Sequence, residues 1–128
     1  MPINSKAKGK RGELEICQEL KKYGYNCIRT VQYNGKADEG EADIKGLTGI
    51  HAEIKRVEKL NLYDAMEQAK RDAKNGDKPT VFHRKNRCNW LVTMELDDFM
   101  ELYKGYRTSE RIRAWAKERG SVTEGNNG

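Results

Sequence analysis

The chain has 128 residues, 36% of them hydrophobic and 35% charged, a balance that suits one globular domain and excludes a fibrous or wholly disordered chain. Lysine and arginine outnumber aspartate and glutamate by 25 to 20, which gives a sequence pI of about 9.1 and makes polyanions the natural partners of the surface. Three cysteines without C-x-x-C spacing imply neither a disulfide framework nor a zinc site, and no apolar run reaches the roughly 20 residues of a membrane span, so the expectation is a soluble, unprocessed cytoplasmic protein.

Residues 1–8 lack apolar periodicity and are expected to form a flexible basic N-terminus. A helix is predicted over residues 10–23, closed by Gly24 as its C-terminal cap. Ile16, Cys17 and Leu20 mark its inward stripe, and Glu13 falls on that same stripe, so an acid points inward from the first turns. Residues 26–33, with Cys27, Ile28 and Val31, read as a strand, followed by a glycine-rich acidic loop over 34–40. Residues 41–47 and 50–57 read as two strands of a β-hairpin turning at Thr48 and Gly49. Leu62, Met66, Ala69 and Ala73 recur at helical spacing and predict an amphipathic helix over 62–75, ending at Gly76. Strands are expected over 80–83 and 89–94, joined by the basic turn from Arg84 to Arg87. Leu96, Phe99, Met100 and Tyr103 mark a third helix, residues 109–119 a short basic one carrying Ile112 and Trp115, and the end after Ser121 a loose tail. The order α-β-β-β-α-β-β-α predicts an α/β (α+β) fold, a mixed central sheet flanked by helices, with a core domain over 9–105 and a basic C-terminal helix and tail over 106–128.

The predicted hairpin carries the chemistry. Ala42 and Ile44 alternate with Asp43 and Lys45, and Ala52 and Ile54 with Glu53 and Lys55, so each strand has one apolar and one charged face. Counting from a turn centre near Thr48 puts Asp43 opposite Glu53 to within about a residue. Opposed residues have Cβ atoms roughly 4.5 to 5.5 Å apart, a separation at which two anions repel unless a cation lies between them. Lys55 projects from the same face as Glu53, and Glu13 completes the cluster if its helix packs across the sheet. Such oxygen ligands select hard divalent cations, Mg²⁺ or Mn²⁺. A cation there lowers the pKa of a water and neutralises charge on a phosphate, which points to phosphodiester hydrolysis. Asp38 and Glu41 are competing acids, to be preferred to Asp43 only if the register is different.

Glu13, Ala42-Asp43 and Glu53-Ile54-Lys55 together resemble the PD-(D/E)XK nuclease pattern with its preceding helical glutamate, with Ala42 where the pattern has proline. Within that superfamily, the run Gly9-Lys10-Arg11-Gly12-Glu13-Leu14-Glu15 ahead of an amphipathic helix is most similar to the archaeal-type and phage Holliday junction resolvases. The resemblance spans residues 8–102. It implies a restriction-endonuclease-like fold, a Mg²⁺-dependent DNA endonuclease in which Mn²⁺ can substitute, and a homodimer acting on four-way junctions in recombination. By position, Glu13, Asp43 and Glu53 would bind or organise the metal, the Ile54 carbonyl would add a ligand and Lys55 would assist catalysis. Alternatives are a restriction-type or general nuclease of the same superfamily, and a DNA-binding protein that uses these acids only structurally.

The remaining polar residues carry less chemistry. Lys6, Lys8, Lys10, Arg11, Arg84, Lys85 and Arg87 are candidate phosphate contacts. His51 and His83 lie on strands without an acid or nucleophile at an obvious spacing and stay outside the catalytic set. Gln68 on the helix after the Glu53-Ile54-Lys55 strand could help hold the site, although an exposed helical glutamine is the commoner case, and Trp90 and Trp115 read as packing residues.

Overall fold

A computed structural model describes residues 5–30 and 41–120. Its elements are α1 (Ser5–Lys21), β1 (Ile28–Arg29), β2 (Ile44–Lys45), β3 (Ile50–Arg56), α2 (Leu62–Asp72), β4 (Lys78–Arg84), β5 (Leu91–Met94) and α3 (Leu96–Glu118). The class is α+β. Five strands form one mixed sheet in the order β1-β2-β3-β4-β5, antiparallel throughout except that β3 and β4 run parallel, with α2 as the crossover such a pairing requires.

The sheet lies between two helices because β3 and β4 each present one set of side chains to α1 and the alternate set to α2. On one face Ile44, Ala52, Ile54 and Phe82 bury against Ile16 of α1, with Cys17, Leu20 and Trp90 packed around them. On the other, Val81 buries against Ala65, Met66 and Ala69 of α2. The inward stripe expected of α1 is therefore the one it uses. At Gly12 that helix comes so near β3 that an added Cβ would stand 2.6 Å from Cβ of Arg56.

Several boundaries differ from expectation. α1 begins at Ser5 instead of residue 10, since Lys6, Ala7, Lys8 and Lys10 are good helix formers and nothing but Gly9 opposes them; the expected flexible N-terminus is helical from Ser5 onward. β1 and β2 are short, and the distal part of the first strand, the 34–40 loop and Asp38 lie outside the described residues. α2 stops at Asp72, because Asn75 and Gly76 both take left-handed backbone angles (φ 57° and 77°) in the turn into β4. The C-terminal region holds one helix of 23 residues where two were expected. Gly105 does not break it, and neither proline of the chain falls within it. The described residues divide into two compact units between Glu95 and Leu96.

Candidate active site

Asp43, Glu53 and Lys55 come together on the α2 side of the sheet. The pairing of Ile44 with Ala52 brings Asp43 to the level of Glu53, and the Asp43 amide donates to the Ala52 carbonyl at 3.0 Å. Thr30 secures the same stretch from the other side, its amide donating to the Asp43 carbonyl at 3.0 Å and its hydroxyl to the Ala42 carbonyl. One Asp43 carboxylate oxygen, Oδ2, accepts the Ile54 amide at 2.8 Å, so the side chain continues the ladder where the strand ends. Within a strand a residue's N–H and C=O point to the same neighbour; the Ile54 carbonyl thus lies on the edge that Asp43 occupies. Lys55 Nζ donates to Gln68 Oε1 of α2 at 3.2 Å. Gln68 is half-buried rather than exposed and restrains the lysine, the less common of the two roles its place on the helix offered.

Burial beneath α2 dominates the electrostatics. Glu53 is 2% exposed, and its pKa is pushed up to about 8, first by desolvation, then by the negative charge of Asp43, with Lys55 opposing both. Asp43 is raised as well, again chiefly by burial, while its bond from Ile54 and the charge of Lys55 pull the other way. Each carboxyl thus lies within reach of the other's charge, and that repulsion adds to burial in favouring the protonated form of Glu53. Glu13 is raised by burial and by Asp43. It stands within the field of the pair, but its carboxylate is held by Arg29 Nε at 2.9 Å.

Two further residues join the cluster. His51 is 3% exposed and its Nε2 lies 3.1 Å from Glu53 Oε1; the acid it was expected to lack stands two residues along the same face of β3. Asp72, from the last turn of α2, completes a group in which His51, Glu53 and Asp72 each offer a ligand atom within 4.8 Å of the others. Desolvation holds the His51 pKa down against the acids around it. An i, i+2 His-Glu pair on a strand is a signal available in sequence. The arrival of Asp72 depends on where the crossover helix ends, and no local pattern encodes that.

The basic residues sort by partner. Arg84 is engaged by Glu15 of α1, which also accepts from Arg56 Nε at 3.2 Å; these pairs tie α1 to β3 and β4. Lys10, Arg11, Lys85 and Arg87 are exposed, whereas the side chains of Lys6 and Lys8 lie outside the described residues. Glu41 pairs with Lys45 at 3.0 Å, and His83 bonds Thr93 at 2.9 Å. Trp90 packs as expected, but Trp115 is exposed, with the Arg119 guanidinium 4.3 Å over its ring. Among the described residues no helix is long and apolar enough to cross a membrane. Comparison with protein-family models, with curated proteins and with solved structures returned no match.

Proposed function

We propose that the chain is a metal-dependent DNA endonuclease of the PD-(D/E)XK type, with a restriction-endonuclease-like fold, that hydrolyses phosphodiester bonds and selects branched DNA such as four-way junctions. One observation carries the reading: the carboxyls of Asp43 and Glu53, half-buried and buried, stand at one level of adjacent strands and share a face with a lysine that the half-buried Gln68 holds in place. A structural pair of acids gains nothing from being desolvated together, whereas a cation-binding pair needs this closeness.

The donor set fits a hard divalent cation, Mg²⁺ or Mn²⁺. Asp43 and Glu53 would hold it, with the Ile54 carbonyl on the same edge, and Glu13 would organise the site through its charge. When bound, such a cation supplies Lewis acidity toward a phosphate oxygen and toward a water. The chain's own residues do the rest. Ile54 N–H fixes the orientation of Asp43, leaving its other oxygen free to ligate. Lys55, restrained by Gln68, offers a positive charge to the phosphate as negative charge builds in the transition state. Lys85 and Arg87, exposed in the turn after β4, provide phosphate contacts that position DNA without reading its sequence.

The test is incubation of the chain with Mg²⁺ and a synthetic four-way junction, beside linear duplex of the same sequence. Symmetric paired nicks in the junction, lost in Asp43→Asn and Lys55→Gln, are expected. Equal cutting of linear duplex would reassign the chain to general or restriction-type cleavage, and binding without cleavage in any divalent ion would leave a DNA-binding protein.

A further inference from the structure

The convergence of a buried imidazole with two carboxylates reaches beyond the Asp43–Glu53 pair. His51 Nε2 and Glu53 Oε1 are 3.1 Å apart, close to the roughly 3 Å between adjacent ligands that each sit about 2.1 Å from one ion. The ligand atoms of Asp72 fall within 4.8 Å of both. Two ligands on opposite sides of an ion stand about 4.2 Å apart, so the widest separation in the group, at most 4.8 Å, is within about half an ångström of a coordinating spacing. Its three members come from β3 and from the end of the helix packed on it, and two of them are at most 3% exposed.

From this arrangement we infer that the chain has a second cation position, formed by His51, Glu53 and Asp72, that prefers a transition-metal ion such as Mn²⁺ to Mg²⁺. The preference follows from the donor atoms. Imidazole nitrogen suits the first-row transition metals, while magnesium favours an all-oxygen, largely hydrated shell. Glu53 is common to both positions: Oε1 faces His51, and Asp43 stands at the same level of the neighbouring strand. It is therefore the natural bridge between two ions. The second position deepens the nuclease reading by predicting a different metal dependence for the same site, yet it stands or falls on metal binding alone.

The chain has two histidines, His51 and His83, so a nitrogen signal on a bound metal has only two possible imidazole sources. His83 is bonded to Thr93 and lies outside the group. Untagged, full-length chain loaded with Mn²⁺ should show nitrogen hyperfine coupling in pulsed electron paramagnetic resonance. The coupling should survive His83→Gln and Asp43→Asn but vanish in His51→Gln. Calorimetry should count two Mn²⁺ per chain and one in Asp72→Asn, the lost site being weakened at least about tenfold; an equal concentration of Mg²⁺ should leave the nitrogen signal in place. Absence of nitrogen coupling in the wild-type chain overturns the inference, and so does coupling that follows His83. Because the wild-type spectrum is decisive, a misfolded His51 variant does not rescue it. Junction cleavage, measured in parallel, separates the two readings: nitrogen coupling without cleavage keeps the second position and discards the nuclease, and cleavage without nitrogen coupling does the reverse.

Discussion

Glu53 is the residue on which the metal-free protein should be least comfortable. Its carboxyl lies under α2 beside Asp43, and its pKa stands near 8 instead of the ordinary 4.5, mainly because burial disfavours the charged form. The native state therefore holds a proton that the unfolded chain releases at about pH 4.5. Stability contributed by that proton is present below pH 4.5 and lost as pH rises through about 8, an effect on the order of a few kcal/mol. Chemical denaturation of the metal-free chain should show its midpoint falling across that window. Glu53→Gln should flatten the profile and raise the midpoint at pH 8 while removing divalent-ion binding, and a pH profile unchanged by the substitution would rule out Glu53 as its source. Of the site residues, Asp43, Glu53 and Lys55 were legible because strand alternation and hairpin register act over a few residues. His51 was readable but passed over, and Asp72 was not readable, since its place depends on the length of the connection between parallel strands.

Two glycines in α1 serve different ends, and a substitution at each tells them apart. Gly9 has nothing within 4 Å of an added Cβ, whereas Gly12 would drive one into Arg56 at the crossing with β3. Gly9→Ala should stabilise the protein by up to about 1 kcal/mol through helix propensity. Gly12→Ala should destabilise it by roughly 1–3 kcal/mol through overpacking, and because Glu13 follows directly, it should disturb the Arg29–Glu13 pair too. Thermal unfolding of both variants checks this, and a neutral Gly12→Ala would mean that the crossing is looser than 2.6 Å implies. The contrast explains why the elements were legible unevenly. The apolar stripe of α1 and the alternation in β3 announce themselves by period, but the start of α1 at Ser5 rests on propensity alone. α3 shows the same limit. Its aromatic residues Phe99, Tyr103 and Tyr106 line one side, the first pair stacked and the second tilted, with ring centroids 6.3 and 6.2 Å apart, and acids in its first turn with Lys117 in its last complement the helix dipole. The helix runs on through Gly105, where two separate helices were expected.

At the scale of the whole chain, the positive surplus belongs to the unit that contains the site. Residues 1–95 carry nineteen basic and fourteen acidic side chains, and residues 96–128 carry six of each, so the C-terminal region adds no net attraction for a polyanion. Within the first unit the useful charges are those without an internal claim on them. The turn after β4 is well fixed: the Cys88 amide donates to the Lys85 carbonyl at 3.1 Å, and Glu58 accepts the Asn86 amide at 2.8 Å. It presents Lys85 and Arg87 outward, while Arg84, one residue before, is spent on Glu15. Affinity for DNA falls with salt in proportion to the number of phosphates contacted. Reversal of Lys85 and Arg87 to glutamate should therefore weaken junction binding and reduce the slope of log affinity against log salt by about two. Arg84→Ala should leave that slope unchanged and instead lower the unfolding temperature, because it loosens the tie between β4 and α1. Fluorescence anisotropy on a labelled junction over a salt series distinguishes the two: a slope that drops equally in all three positions would mean that Arg84 leaves Glu15 for the backbone of DNA, and a slope untouched by any of them would move the nucleic-acid contact away from this turn.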